Sequence, residues 1–205
     1  MTHIISNLKN ATHAAHSRVE LQLDRYLFAS DLTPKSYADA LTKLYAIHCV
    51  FEAQLTRYAA SALLMDGRSK LHWLRQDLLA LDFAGQWPLS LNQDLVLEND
   101  ACAMGVMYVV EGSTLGGKVI SQRLAQHAWL IPAKHLRFFN SYGARRGKMW
   151  RDFCNALENF HQNEVTAGPA IVDGALLAFN YFEQKLLTPA TPNAYATRRY
   201  QQSHA

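Results

Sequence analysis

Tyr108, Gly112 and Gly116 stand at i, i+4 and i+8 of a segment that reads as helix from about residue 101 to 126. They share one helix face. That face offers a tyrosine hydroxyl followed by two positions with no side chain, against which a large flat ligand could lie. Gly112, Gly116 and Gly117 each cost a helix interior roughly 1 kcal/mol relative to alanine. Close approach of another group, or a bend in the helix, is the usual reason to keep them. A second helix packed along a small-residue seam would make the same demand. Near the N-terminus, Lys9 and His16 lie seven residues apart in an amphipathic segment whose stripe is Leu8, Thr12, Ala15, Val19 and Leu23. A cation and an imidazole then point the same way, roughly 10 Å apart along the axis. That pair suits a ligand with a metal at its centre and carboxylates at its edge.

The two segments together resemble the heme oxygenase family. The family's first helix carries a K-x-A-T-x-x-x-H pattern whose histidine is the proximal iron ligand; here it stands as Lys9, Ala11, Thr12 and His16. The distal helix of its soluble bacterial members carries Y-V-x-E-G-S-x-L-G; here it is Tyr108, Val109, Glu111, Gly112, Ser113, Leu115 and Gly116, followed by Gly117. A weaker match is Phe138-Phe139-Asn140-Ser141-Tyr142-Gly143, with Trp150 and Phe153 beyond it. The resemblance runs from about residue 5 to 187. It implies an all-α, single-domain fold that holds heme between a proximal and a distal helix. It also implies oxidative opening of heme, both cofactor and substrate, to biliverdin IXα with release of ferrous iron and carbon monoxide. Dioxygen is the oxidant and a reductase or ferredoxin the electron donor.

Under that resemblance His16 is the metal ligand, with His13 its nearest competitor, and Glu20 one turn on is placed to orient the imidazole. Lys9 and Tyr108 would hold the propionates, as charge-assisted contacts of above-average strength. Gly112 and Gly116 would give the bound oxygen room beside the helix backbone. Gly117, Trp150 and Phe179 would line the pocket. Lys118, Arg145, Arg146 and Lys148 are further basic candidates. One departure stands out: many family members place a carboxylate directly after the first distal glycine, where this chain has Ser113. The water network must therefore be held differently, and Ser113 is counted with Gly112 and Gly116 in the catalytic set.

The elements that must position these residues are helical. Patterning predicts helices near 3–28, 34–61, 68–81, 98–127, 133–140, 146–162 and 168–187. Ser6 is read as the first N-cap, and Pro34 behind Thr33 as an N1 proline. Asp66-Gly67, Trp87-Pro88 and Gly168-Pro169 punctuate the chain. The domain is expected to span 1–187, and 188–205 to form an extended or mobile tail.

With 205 residues, 49% of them hydrophobic, the chain can bury one full core. A formal charge of +3 without basic–aromatic runs argues against nucleic acid. Cys49, Cys102 and Cys154 show no CxxC pattern and fit structural thiols of a reducing, cytoplasmic compartment. No secretory leader or long uninterrupted apolar stretch is evident, so no membrane is expected, and a monomer is. Iron acquisition is one role the product could serve.

Three other readings compete. A di-iron bundle needs two Glu-x-x-His motifs, and only Glu158–His161 is present. A heme-binding or storage protein would share the binding residues. A thiamin-pyrimidine hydrolase on a similar scaffold would need an activated cysteine.

Overall fold

The computed structural model describes residues 3–82 and 95–188. Among them the regular structure is entirely helical: α1 Ile4–Leu27, α2 Pro34–Leu55, α3 Ala59–Ala62, α4 Leu71–Ala80, α5 Asp100–Leu124, α6 Pro132–His135, α7 Arg146–Asn163 and α8 Gly168–Leu187. Short 3-10 turns precede α7 and α8. The Trp87-Pro88 loop and the tail beyond Thr188 lie outside the described residues.

Long helices α1, α5 and α8 build the body. α8 packs against both α1 and α5. Gly105 and Gly174 explain how α5 comes so near: a Cβ on Gly105 would lie 2.0 Å from the Ile171 carbonyl oxygen, and one on Gly174 would lie 2.1 Å from that of Cys102. The small-residue seam allowed for at Gly112 and Gly116 therefore exists on this helix, but at Gly105. Val165–Leu187 is long and apolar enough to cross a membrane by length and composition, a feature the sequence reading did not register. Half of that window is buried inside the protein. Its Ile171, Ala175, Ala178 and Phe182 belong to the hydrophobic core.

Side-chain N-caps start two of the long helices, α2 and α5. Thr33 and Ser36 form a reciprocal capping box ahead of Pro34. The Asn99 side chain accepts from the Cys102 N–H to start α5. Gly67 adopts φ +67°, which suits a residue without a Cβ in the turn after Asp66.

Three expectations are corrected. α1 begins at Ile4, with His3 rather than Ser6 at the N-cap, and no side chain of that residue caps it. Its free N–H groups at Ile4 and Ile5 instead donate to Glu158 of α7, at 3.4 and 3.3 Å. That use also accounts for Glu158 of the lone Glu-x-x-His motif. The helix expected over 34–61 ends at Leu55. Ser61 folds back to donate to the Leu55 carbonyl at 2.6 Å, and Asp100 accepts from the Ala60 N–H at 2.7 Å, so the chain turns toward α5. The helix expected over 133–140 stops after His135. There the Asp77 carboxylate accepts the N–H groups of Arg137 and Phe138, both at 2.9 Å, and draws the backbone off the helical path.

Candidate functional site

The His16 imidazole is half-exposed on α1, with its side chain 52% accessible. Nδ1 lies 3.3 Å from a Glu20 carboxylate oxygen one turn along. The ring meets Phe179 of α8 edge-on, with centroids 5.6 Å apart. Glu20 and Phe179 thus fix the ring from two sides, and Nε2 is the nitrogen left to bind a metal. His13 and Lys9 are also exposed on α1.

On α5, Tyr108 is half-buried and its ring packs against Trp150 of α7, centroids 5.7 Å apart. Burial, then the nearby Cys154 thiol, raises its pKa, which keeps the hydroxyl protonated; a hydrogen bond with Thr12 of α1 works the other way. Thr12 is one turn before His16, so Tyr108 ties the two candidate helices together.

The three α5 glycines have different reasons. A Cβ on Gly116 would meet nothing within 4 Å, and one on Gly112 only the Trp150 ring at 3.6 Å. Among the described residues no packing requires glycine at either position. A Cβ on Gly117 would lie 2.3 Å from the Phe139 carbonyl oxygen. Gly117 is therefore accounted for by the close 138–141 segment rather than by open space for a ligand. Gly116→Ala should raise the melting temperature slightly, since alanine is favoured over glycine in a helix interior by roughly 1 kcal/mol, whereas Gly117→Ala should lower it, since forcing atoms into packed space costs typically 1–3 kcal/mol. Thermal denaturation of the two variants checks the distinction; equal losses would contradict it.

Ser113 is exposed, and its hydroxyl donates back to the Val110 carbonyl at 2.9 Å. Its proton is committed to its own helix, and only its lone pairs can face a ligand. Of the other basic candidates, Lys148 pairs with Asp152 at 2.7 Å and Arg146 donates to the Phe139 carbonyl at 3.1 Å. Lys118 and Arg145 are exposed.

Sequence reasoning missed a buried charge cluster behind the glycines. Glu111, 1% exposed, accepts from Lys70 Nζ at 2.7 Å, from the Tyr142 hydroxyl at 2.9 Å and from Arg68 Nη1. Arg68 Nη1 also donates to the Met149 carbonyl at 3.1 Å, next to Trp150. Lys70 is fully buried, and its backbone N–H donates to Glu52 at 2.6 Å. Desolvation lowers the Lys70 pKa, opposed by Glu111. The cluster pins α5 to the start of α7 on the side of Gly112. Glu111 stood in the quoted motif without a role. Arg68 and Lys70, in a polar turn, carry no sequence mark that separates them from surface charges.

All three cysteines are free, and burial raises each thiol pKa, that of Cys154 to about 11. An activated nucleophile needs the opposite shift, which removes the support for a hydrolase. Among the described residues no cluster of His, Cys, Asp and Glu could hold a bare metal ion, which leaves the di-iron reading without a site.

An imidazole turned outward on one helix, a helix face without side chains on another and a shared apolar helix beneath both define a helical protein built to bind a flat metal-centred ligand. The family model described as heme oxygenase matches residues 2–188, and the chain belongs to that family. It is 31% identical over 160 residues to a heme oxygenase of Xanthomonas campestris pv. campestris (strain 8004), covering 77% of this chain and 92% of that one. Its fold is similar to the NO- and CO-bound heme oxygenase of Neisseria meningitidis (TM-score 0.71, 20% identity, 97% of this chain and 99% of that chain). It is also similar to heme oxygenase 2 of Chlamydomonas reinhardtii (TM-score 0.76, 16% identity, 93% and 100%). The protein is thus a heme-degrading oxidoreductase that binds heme as cofactor and substrate and yields biliverdin, iron and carbon monoxide.

Proposed function

We propose that heme occupies the cleft between the exposed face of α1 and the glycine face of α5, and is opened at its α carbon to biliverdin IXα. Dioxygen is the oxidant, and electrons come from a separate reductase or ferredoxin in the cytoplasm. The observation that carries this reading is the pairing of a half-exposed, two-sidedly oriented His16 with Gly112 and Gly116, where nothing among the described residues demands glycine. An imidazole donor and a side-chain-free wall fit a metalloporphyrin. When bound, heme supplies the iron and oxygen chemistry that oxidises its own ring.

The protein's part is position and hydrogen bonding. His16 holds the metal through Nε2, while Glu20 at Nδ1 fixes the ring and strengthens it as a ligand. Gly112 and Gly116 keep side chains out of the volume beside the metal. Lys9, by charge, and Tyr108, as a protonated donor, anchor the two propionates and so set the in-plane rotation. Phe179 supports the imidazole, and Trp150 closes the wall beside Gly112. Lys9 is exposed, so its contribution is weakened by solvent screening and falls with added salt.

Aerobic turnover of the hemin complex with a reductant, followed by chromatography, tests the reading. The α isomer should dominate from the unmodified protein. The Lys9→Ala/Tyr108→Phe double variant should give mixed isomers: two anchors of about 1.5 kcal/mol each, a value for hydrogen bonds to charged groups, favour one seating by more than tenfold. The β or δ isomer as main product from the unmodified protein would refute the seating. Stable hemin binding with no biliverdin would favour the storage reading.

A further inference from the structure

Asp77 of α4 is fully buried. Its ion pair with Arg137 is long, at 4.0 Å, and that guanidinium donates to the Lys134 carbonyl at 2.7 Å. The two carboxylate oxygens are spent on backbone instead. One accepts the N–H of Arg137 and the other that of Phe138, both at 2.9 Å. Burial raises the Asp77 pKa to about 6, opposed by the two N–H groups and then by the charge of Arg137. In mildly alkaline solution the group is a carboxylate, and both oxygens accept. A buried charge is costly to desolvate. What this one secures, beyond the end of α6, is the course of the residues that follow.

Three residues of the 137–142 segment reach α5. The Phe139 carbonyl oxygen lies so close to Gly117 that a Cβ there would stand 2.3 Å from it. Asn140 Nδ2 donates to Ser121 Oγ at 2.8 Å, and the Tyr142 hydroxyl donates to Glu111 at 2.9 Å. At about 100° per residue, Glu111, Gly117 and Ser121 fall on the side of α5 opposite Gly112 and Gly116. The segment therefore backs the helix face that has no side chains. At Gly117 it touches the α5 backbone directly, one residue from Gly116. Close-packed interiors transmit strain, so a displaced segment carries this part of α5 with it.

We propose that Asp77 is a positioning residue for heme degradation: it holds the 137–142 segment against the back of α5 and so fixes how far the Gly116 backbone stands from bound heme. This rests on the reading of the Gly112–Gly116 face as the oxygen side of bound heme. Asp77 acts only through the segment it holds.

Asp77→Asn tests it, because the amide keeps one acceptor oxygen and sets an NH2 group against the second N–H. Asn140→Ala cuts the tie to Ser121 itself and stands in should Asp77→Asn not fold. Ser61→Ala is the stability control: it deletes the buried bond to the Leu55 carbonyl, in the turn beside the start of α5 and far along that helix from Gly116. In the hemin-free protein, amide hydrogen exchange over 116–121 should be about tenfold faster in Asp77→Asn, as for loss of a hydrogen bond to a charged group, and unchanged in Ser61→Ala. In the carbon monoxide complex of the hemin-loaded protein, Asp77→Asn should shift the C–O stretching band and slow heme degradation, with hemin affinity and the iron–His16 Raman band unchanged. Asn140→Ala should act in the same direction, and Ser61→Ala should leave the C–O band in place. Exchange over 116–121 indifferent to Asp77→Asn, or a C–O band that stays put or moves equally in Ser61→Ala, would overturn the proposal. Failure of hemin to bind through His16 would instead sink the heme-seating reading, and exchange in the hemin-free protein would still decide whether Asp77 holds α5.

Discussion

Replacement of His16 by alanine is expected to abolish the axial-histidine spectrum of the hemin complex and to stop heme degradation. Glu20 at Nδ1 and Phe179 against the ring leave Nε2 as the nitrogen to bind the metal. His13, three residues earlier, is about 60° away around the helix at 100° per residue. The chain should keep its fold, because the imidazole is half-exposed and its contact with Glu20, itself 65% exposed, is a surface pair of small value. Free imidazole should therefore diffuse into the space left and partly restore both the spectrum and turnover. An unchanged iron–histidine Raman band in His16→Ala would show that another residue is the ligand.

Replacement of Glu111 by alanine is expected to be the most damaging single change to the fold. It would leave Lys70 and Arg68, 0% and 6% exposed, without their shared carboxylate. Breaking a buried ion pair by removing one partner costs about 3–5 kcal/mol. At this chain length that corresponds to a fall in melting temperature of roughly 10 °C or more. Because the cluster also holds the Met149 carbonyl beside Trp150, hemin affinity of the folded fraction should drop as well. Calorimetry of Glu111→Ala beside a surface control such as Asp152→Ala measures the difference. A Glu111→Ala protein that melts with the unsubstituted chain would mean that the cluster contributes nothing to the fold.

The contrast between these two residues shows what was legible in the chain. His16 belongs to a local spacing on one helix, Lys9 to His16, which needs no tertiary knowledge. The α5 glycine face follows from helix periodicity in the same way. The site of close α5–α8 packing did not follow, because Gly105 acquires its meaning only from the Ile171 carbonyl of a distant helix. Glu111 is the same kind of case. Its role depends on the two cations that reach it from the turn before α4. The two misplaced helix ends fail for one reason as well. Residues 56–61 and 136–140 carry acceptable helical patterns, but side chains from elsewhere, Asp100 and Asp77, capture their backbone N–H groups. Local caps such as Thr33–Ser36 lie within reach of sequence reading, and long-range ones such as Glu158 on α1 do not.

The central claim is that heme lies between α1 and α5 with His16 as its ligand. A crystal structure of the hemin-loaded protein tests it most directly. The account predicts iron bonded to His16 Nε2, the opposite porphyrin face against Gly112 and Gly116, and propionates toward Lys9 and Tyr108. A porphyrin ligated by His13, or seated away from the Gly112–Gly116 face, would contradict it.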